Sequence, residues 1–322
     1  MGANFQLAPM AELTHRALRQ IIHDFGGCSE YFAEMISAAA LVADSPFEKW
    51  YRDNEPCPER LVFQLVGSDA ALLARAAAIL DRQECLGIDV NMCCGAPLIR
   101  KSGAGAAWMA SIDGAGRLAA QLRPAVKSRL SVKLLLGFNE DFEFLAAFCR
   151  RLEAEGVEMI TLHPRTVMEK FKRLARWKYV GALKKELKIP VAGNGDILSA
   201  EQLVSRAREP IDGSVCDAVM VGRAAVRQPW IFARAREIES AAAGMPAAAP
   251  VTPNMEETGL RFLELLAAHQ PPEFYLSRAR RFFGLYCDNL KWGNYLKTKL
   301  NRETTLAGIE QVWRQYFKEN PD

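Results

Sequence analysis

Short runs of apolar residues recur along the first two thirds of the chain, at 5–8, 30–32, 61–66, 87–91, 130–135, 159–162, 190–192 and 218–221. Most have Gly, Pro, Asn, Asp or a charged residue at one or both flanks, which predicts short buried strands. Between most of them lie segments with apolar residues at helical spacing, such as 70–82, 114–126, 141–155 and 200–207. Parallel neighbours need a crossover connection, so regular alternation of strand and helix predicts a parallel sheet. Eight such units in roughly the first 235 residues suit a closed (β/α)8 TIM barrel, which takes about 250 residues, better than an open doubly wound sheet.

The texture changes after Arg236. Residues 239–253 are rich in Ala and Pro and poor in periodic apolar positions, as in a linker. From 254 to 322 helical spacing returns, with Leu260, Phe262, Leu263, Leu265 and Leu266, then Phe282, Phe283, Leu285 and Tyr286, then Ile309, Val312, Trp313, Tyr316 and Phe317. The expected organisation is therefore an α/β barrel over 1–238, a linker, and a small C-terminal helical domain.

Composition narrows the class only a little. Half of the 322 residues are hydrophobic and a quarter charged, the balance of a globular protein with a large core. No apolar stretch is long enough to span a bilayer. The first residues lack a basic segment followed by an apolar one, and Gln6 stands where a myristoylation signal needs Ser or Thr, so a cytosolic location is expected. Cysteines at 28, 57, 85, 93, 94, 149, 216 and 287 form no CxxC pair and no metal-ligand spacing with the histidines, so neither a disulfide framework nor a zinc site is expected. A net charge of +3 permits an RNA partner without requiring one.

In a barrel, catalytic residues gather at the C-terminal ends of the strands. Polar or reactive residues recur there: Pro9 and Met10, Gln64, Asn91 with Cys93 and Cys94, Lys133, His163 and Arg165, Asn194 to Asp196, and Gly222 with Arg223. The glycine turns at Gly195 and Gly222 follow the last two strands, where barrels commonly bind phosphorylated cofactors through free backbone N–H groups. Arg223 can add a charge-assisted contact. Lys133 points into the barrel and needs an anionic partner, or else snorkels to solvent. Gln64 can present a donor and an acceptor to an amide-like ring edge, or it caps a loop. His163 and Arg165, two apart in a strand, share a face. The thiols of Cys93 and Cys94 lead into a Gly-rich loop carrying Arg100 and Lys101. A thiol there suits a general acid, being mostly protonated near neutrality with a pKa of ~8.5; the alternative is an inert buried cysteine.

Taken together, Ala8-Pro-Met-Ala11, Phe63-Gln-Leu-Val-Gly67, Asp89-Val-Asn-Met-Cys-Cys94, Lys101-Ser-Gly-Ala-Gly105, Ser131-Val-Lys133, Leu162-His-Pro-Arg-Thr166, Gly193-Asn-Gly-Asp196 and Asp217-Ala-Val-Met-Val-Gly-Arg223 resemble the tRNA-dihydrouridine synthases. The resemblance spans the whole barrel. It implies FMN as prosthetic group and NADPH as reductant. It also places Pro9, Met10, Ala11, Gln64, Lys133, His163, Asn194, Gly195, Asp196, Gly222 and Arg223 around the flavin. Cys94 matches the family's proton donor to uracil C5, opposite hydride delivery to C6. Asn91 falls beside the base and Arg165 near the substrate, and the helical tail suits the family's RNA-binding appendage; apart from the resemblance, Arg100 and Lys101 are expected to contact the RNA as cations on the thiol loop.

The chain departs from the family pattern in three places. Cys93-Cys94-Gly95 replaces Gly-Cys-Pro, Leu135 replaces an arginine, and His163-Pro-Arg165 replaces His-Gly-Arg. Two rivals therefore remain: a flavin barrel acting on a free small molecule, and a flavin- or RNA-binding relative without catalysis. Arg278, Arg280, Arg281, Lys291, Lys297, Lys299 and Arg302, interleaved with Phe282, Phe283, Tyr286, Trp292 and Tyr295, favour RNA over the small molecule, since cations and stacking rings suit a polynucleotide. A merely solvated helix face is the alternative for these residues.

Overall fold

The computed structural model describes residues 2–169, 172–245 and 251–320. Eight parallel strands close into a barrel: β1 Phe5–Leu7, β2 Glu30–Phe32, β3 Leu61–Val66, β4 Gly87–Met92, β5 Arg129–Gly137, β6 Met159–Thr166, β7 Val191–Asn194 and β8 Ala218–Val221. Closure is direct, because β1 pairs with β2 on one side, at Gln6–Glu30, and with β8 on the other, at Gln6–Met220. A two-residue strand, Ile36–Ser37, adds a rim pairing to Leu65 and Val66. The strands fall where the apolar runs predicted them, and the expected crossover helices form at Ala70–Leu80, Ile112–Leu122, Phe142–Ala154 and Ala200–Arg208. Asp69, Ser111, Asp141 and Ser199 start these helices by accepting a backbone N–H three residues on, which satisfies an otherwise orphaned donor.

Strand alternation divides the side chains between two environments. Outward positions such as Phe5, Leu7, Ile88, Val90, Val132, Leu134 and Ile160 pack under the helices in the main core. Inward positions form separate small clusters, Ala8 with Phe32, Val62 and Met220, and Met159 with Ala192 and Ala218. Contacts crossing the barrel fix these directions. Arg129 of β5 pairs with Glu30 of β2; burial opposes the charge on Glu30, but Arg129 and Asn4 outweigh it and hold its pKa below the usual carboxylate range. Towards the C-terminal mouth the interior turns polar, with Gln64, Asp89, Asn91, Ser131, Lys133, Thr161, His163, Arg165 and Asn194 all buried.

β6 runs four residues beyond its predicted end and includes Pro164. The pairing of β5 with β6 shifts register between Leu135–His163 and Gly137–Thr166. A proline has no N–H to give the ladder, so it sits where the ladder is irregular. Its carbonyl accepts instead from the Arg176 N–H at 2.9 Å.

The tail consists of helices Met255–His269, Pro272–Tyr286, Gly293–Arg302 and Leu306–Glu319. Phe262 stacks on Phe282 at 3.8 Å, and Phe283 and Tyr286 close around Trp313. Gly259 is needed here, because an added Cβ would lie 2.4 Å from the Trp313 ring. Helix Ile231–Ala242 extends into the stretch read as a linker from 239, and residues 246–250 of that stretch lie outside the described residues.

The tail meets the barrel through polar groups that are almost fully buried. Arg278 lies 2.8 Å from Glu34, with side-chain exposures of 1% and 3%. The approach is close but poorly aligned for a hydrogen bond, and the guanidinium also rests 4.6 Å above the Phe274 ring. Nearby, His15 packs against Phe262, and neither ring nitrogen has a hydrogen-bond partner among the described residues. Burial, then Arg278 and Arg19, hold its pKa well below 6.5.

His15 therefore stays neutral in the folded chain but takes a proton in the unfolded chain below about pH 6.5. Its stabilising contribution is complete above that pH and lost as pH falls. His163 acts in the same direction, whereas Asp89 and Glu34, whose pKa values burial raises, act in the opposite one. Comparison with a His15→Phe variant isolates the first effect. In urea unfolding at pH 7, 6 and 5, the wild type is expected to lose up to about 1.4 kcal/mol per pH unit relative to the variant. Parallel pH profiles would contradict a neutral buried His15.

Candidate active site

The site is built on alternating inward residues of β3, β4 and β5. Asn91 Oδ1 accepts the N–H of Cys93 at 3.1 Å and of Cys94 at 2.8 Å. Asn91 Nδ2 donates to Gln64 Oε1 at 2.8 Å, and Gln64 Nε2 donates to Asp89 Oδ2 at 2.8 Å. The other Asp89 oxygen accepts from Ser131 Oγ at 2.7 Å. Burial pushes the Asp89 carboxyl up to about 6, against the lowering effect of Gln64 and Ser131. Lys133, predicted to point inward, does so: it is buried, and its ammonium donates to Cys93 Sγ at 3.3 Å.

The two thiols leave β4 on a loop that returns through the short helix Pro97–Lys101. The Cys94 carbonyl accepts from Ala106, and Gly105, at φ +59, lets the chain pass: an added Cβ would lie 2.6 Å from that carbonyl. Burial pushes the Cys94 thiol up, with the Ala96 backbone and Lys133 opposing. Cys94 is thus a half-buried, protonated thiol at neutral pH.

A second network joins β6 to β7. His163 Nδ1 lies 3.0 Å from Asn194 Oδ1, and Asn194 Nδ2 donates to the Met220 carbonyl. Arg165 Nη1 lies 3.1 Å from His163 Nε2, while Nη2 contacts both oxygens of Asp196 at 2.6 and 2.8 Å. An arginine cannot accept, so Nε2 is the acceptor and the ring proton sits on Nδ1, facing the asparagine carbonyl. Burial, then Lys133 and Arg165, lower the His163 pKa to about 3, which keeps the ring neutral. Arg165 also donates to the Arg173 carbonyl. Asp196, at φ +55, accepts from the Ala175 N–H. Burial opposes its ionisation, but that amide and Arg165 hold its pKa below the usual range. Gly195, at φ +121, has no room for a side chain, since a Cβ would fall 2.9 Å from Ala175 Cβ and 3.0 Å from the His163 ring.

Pro9, Met10 and Ala11 follow β1, and of these Met10 faces the end of β8. A Cβ on Gly222 would fill the space 3.6 Å from Met10 Sδ and 3.8 Å from Ala8 Cβ. Arg223 opens the short helix Arg223–Arg227 and is exposed. Across the mouth, Arg100 Nη1 lies 3.8 Å from Met168 Sδ, and Lys101 is exposed on the rim.

The structure gathers Gln64, Asn91, Lys133 and the two cysteines into one group, and His163, Arg165, Asn194, Gly195 and Asp196 into another. Several polar atoms assigned from sequence to ligands already have protein partners: both ends of the Gln64 and Asn91 amides, and three nitrogens of Arg165. Asp89 and Ser131 were not singled out from sequence. The available signal was spacing, because Asp89 and Asn91 are two apart in a strand and must share a face.

The tail needs a correction. Arg278, Phe282, Phe283 and Tyr286, read as cations and rings for RNA, are buried, so they build the tail core and its contact with the barrel. Arg281, Lys291, Trp292, Tyr295 and Arg302 are exposed. A groove of about 770 Å³ lies between Trp292, Tyr295, Lys299, Gln311 and Gln315, away from the barrel mouth.

Comparison with known proteins agrees with the barrel and identifies its relatives. A solved 2-keto-3-deoxygluconate aldolase variant from Sulfolobus solfataricus superposes with a TM-score of 0.50 at 12% identity, covering 98% of this chain and 94% of the aldolase, a likeness of fold alone. A probable tRNA-dihydrouridine synthase of Rhodobacter capsulatus is 32% identical over 97% of this chain and 94% of its own length. tRNA-dihydrouridine synthase B of Pseudomonas aeruginosa is 29% identical over 97% of this chain and 92% of its own. The family model for dihydrouridine synthase matches residues 6–320, barrel and tail together, and the chain belongs to that family.

Proposed function

We propose that this protein reduces uridine in tRNA to 5,6-dihydrouridine, with FMN at the barrel mouth and NADPH as reductant. The observation that carries the reading is the family match through the whole chain, with a protonated Cys94 thiol at the mouth. The donor set suits a phosphorylated, electron-accepting ring. The Lys133 ammonium has only a thiol sulfur as hydrogen-bond partner among the described residues, Arg223 stands at the end of β8, and Gly222 leaves beside Met10 a space that a Cβ would fill. Bound there, the flavin supplies the hydride that adds to uracil C6.

The chain's own residues do the rest. Lys133 offsets negative charge in the mouth, Gly195 and Gly222 let the backbone approach the cofactor, and Arg223 holds its phosphate. Pro9, Met10 and Ala11 cover it from β1. Asn194 and Asp196 fix His163 and Arg165 as a hydrogen-bonded wall made of a neutral ring and an ion pair. Asn91 holds the Cys94 backbone so that its thiol gives a proton to C5. Arg100, Lys101 and the exposed cations of the tail bind phosphates.

Nucleoside analysis of tRNA from a strain lacking this protein tests the activity: dihydrouridine is expected to disappear at a defined position and return on complementation. An unchanged tRNA profile would reject it. Arg223→Ala is expected to weaken FMN retention, so that less yellow chromophore survives gel filtration; a wild type that stays colourless with added FMN would remove the cofactor assignment. RNA binding is expected to weaken steeply with salt, and each phosphate-contacting cation replaced by Gln, among Arg100, Lys101, Lys291 and Arg302, is expected to lower the slope of log affinity against log salt by about one.

A further inference from the structure

We infer that Asp89 is the positioning residue of the thiol loop, acting through the paired amides of Gln64 and Asn91 on the backbone of Cys93 and Cys94; this rests on the proposed role of Cys94.

The chain of contacts can be read in only one polarity. At the loop end, the donors are the N–H groups of Cys93 and Cys94, so the Asn91 atom facing them is its oxygen. Asn91 must then present its NH2 group to Gln64, whose oxygen receives it, and Gln64 must turn its own NH2 group to the next residue. An acceptor is required there, and Asp89 provides one. Its second oxygen is anchored by the Ser131 hydroxyl, so the carboxyl cannot rotate away. Asp89, Gln64 and Asn91 are 0%, 1% and 7% exposed. Water therefore cannot replace a lost partner cheaply, and an amide turned the wrong way leaves a buried donor facing a donor.

The relay works by orientation rather than by charge. An asparagine at 89 could offer its oxygen to Gln64 and its NH2 to the Ser131 oxygen, preserving every polarity from residue 89 to the loop and turning only the Ser131 hydroxyl from donor to acceptor. A leucine could not. The other charged groups on this side of the barrel are Lys133 and Arg129 of β5, both of which favour the ionised carboxyl but less strongly than burial opposes it. Neither bonds to Asp89, Gln64 or Asn91; Lys133 reaches the loop only at the Cys93 sulfur.

The test reads the loop itself, independently of turnover. The full-length protein and its Asp89→Leu, Asp89→Asn and Gln64→Met variants are treated with iodoacetamide, FMN being added in excess to every sample. Alkylation of Cys94 and Cys93 is followed separately by peptide mass spectrometry, and melting temperatures are recorded in parallel. Asp89→Leu and Gln64→Met are expected to alkylate at Cys94 about tenfold faster, as for a loop released from one hydrogen bond of ordinary strength. A protein carrying both Asp89→Leu and Gln64→Met should be no faster than either alone, and Asp89→Asn should stay near the wild-type rate. If Asp89→Leu does not fold, Gln64→Met against Asp89→Asn decides alone. A lowered melting temperature with unchanged Cys94 alkylation would make Asp89 merely structural and overturn the inference. So would an Asp89→Asn protein that reacts like Gln64→Met, since charge would then matter and orientation would not. These outcomes stand whether or not the tRNA assay succeeds, so failure of the relay and failure of the proposed activity are distinguishable.

Discussion

Replacing Cys94 with Ala is expected to slow dihydrouridine formation about 10²- to 10⁴-fold in a single turnover with pre-reduced flavin, the usual contribution of a positioned general acid. Hydride addition at uracil C6 builds negative charge at C5 and the adjacent carbonyl, and a thiol beside C5 lowers the barrier by protonating it. A serine hydroxyl is too weak an acid to replace it, so Cys94→Ser should be equally slow. FMN content and tRNA affinity should hardly change. Because burial raises the Cys94 pKa, the wild-type rate should stay level to alkaline pH and fall only beyond the range of an exposed thiol, about 8.5. Cys93 is the internal control: its sulfur accepts from Lys133 rather than standing ready to give a proton, and Cys93→Ala should keep most of the rate. The reverse pattern would assign the acid to Cys93.

The largest effect on stability is expected at Arg278. Its partner Glu34 is 3% exposed at the side chain, so Arg278→Ala leaves a buried carboxylate without its ion-pair partner, supported among the described residues only by the Glu12 N–H and Arg19, and removes the packing over Phe274. Breaking one side of such a pair costs about 3–5 kcal/mol. Glu34→Gln/Arg278→Met, which removes both charges while keeping much of the volume, should recover most of that loss. Chemical denaturation of the three proteins at pH 7 measures both. Equal stability of the single and double variants would mean that the unpaired Glu34 carboxylate is not what destabilises Arg278→Ala.

The barrel was legible in the sequence because its signal is repetitive: each strand is a short apolar run, and the alternation of strand and helix leaves few topologies. The inward direction of Lys133 and the shared face of His163 and Arg165 were legible for the same reason, as period two fixes which residues share an environment. What the two sides of a residue touch was not. Nothing in the one-dimensional pattern says that Gln64 turns towards Asp89, or that the Arg165 nitrogens meet Asp196 thirty-one positions away. The tail shows the same limit more sharply. Arg278 and Arg281 are both cations on one helix, yet only the first is buried, because its partner lies far off in sequence at Glu34.

Pro164 changes when part of the site's ordering takes place. It separates His163 from Arg165 at the irregular step of β6, where the dihydrouridine synthase pattern has glycine. A glycine there would roam widely in the unfolded chain and lose that freedom on folding; a proline, with φ already restricted, has far less to lose, a difference of about 0.4–1 kcal/mol for such exchanges at compatible positions. The spacing of the histidine and the arginine is thus partly set before the chain folds, which lowers the entropy lost when His163 and Arg165 meet.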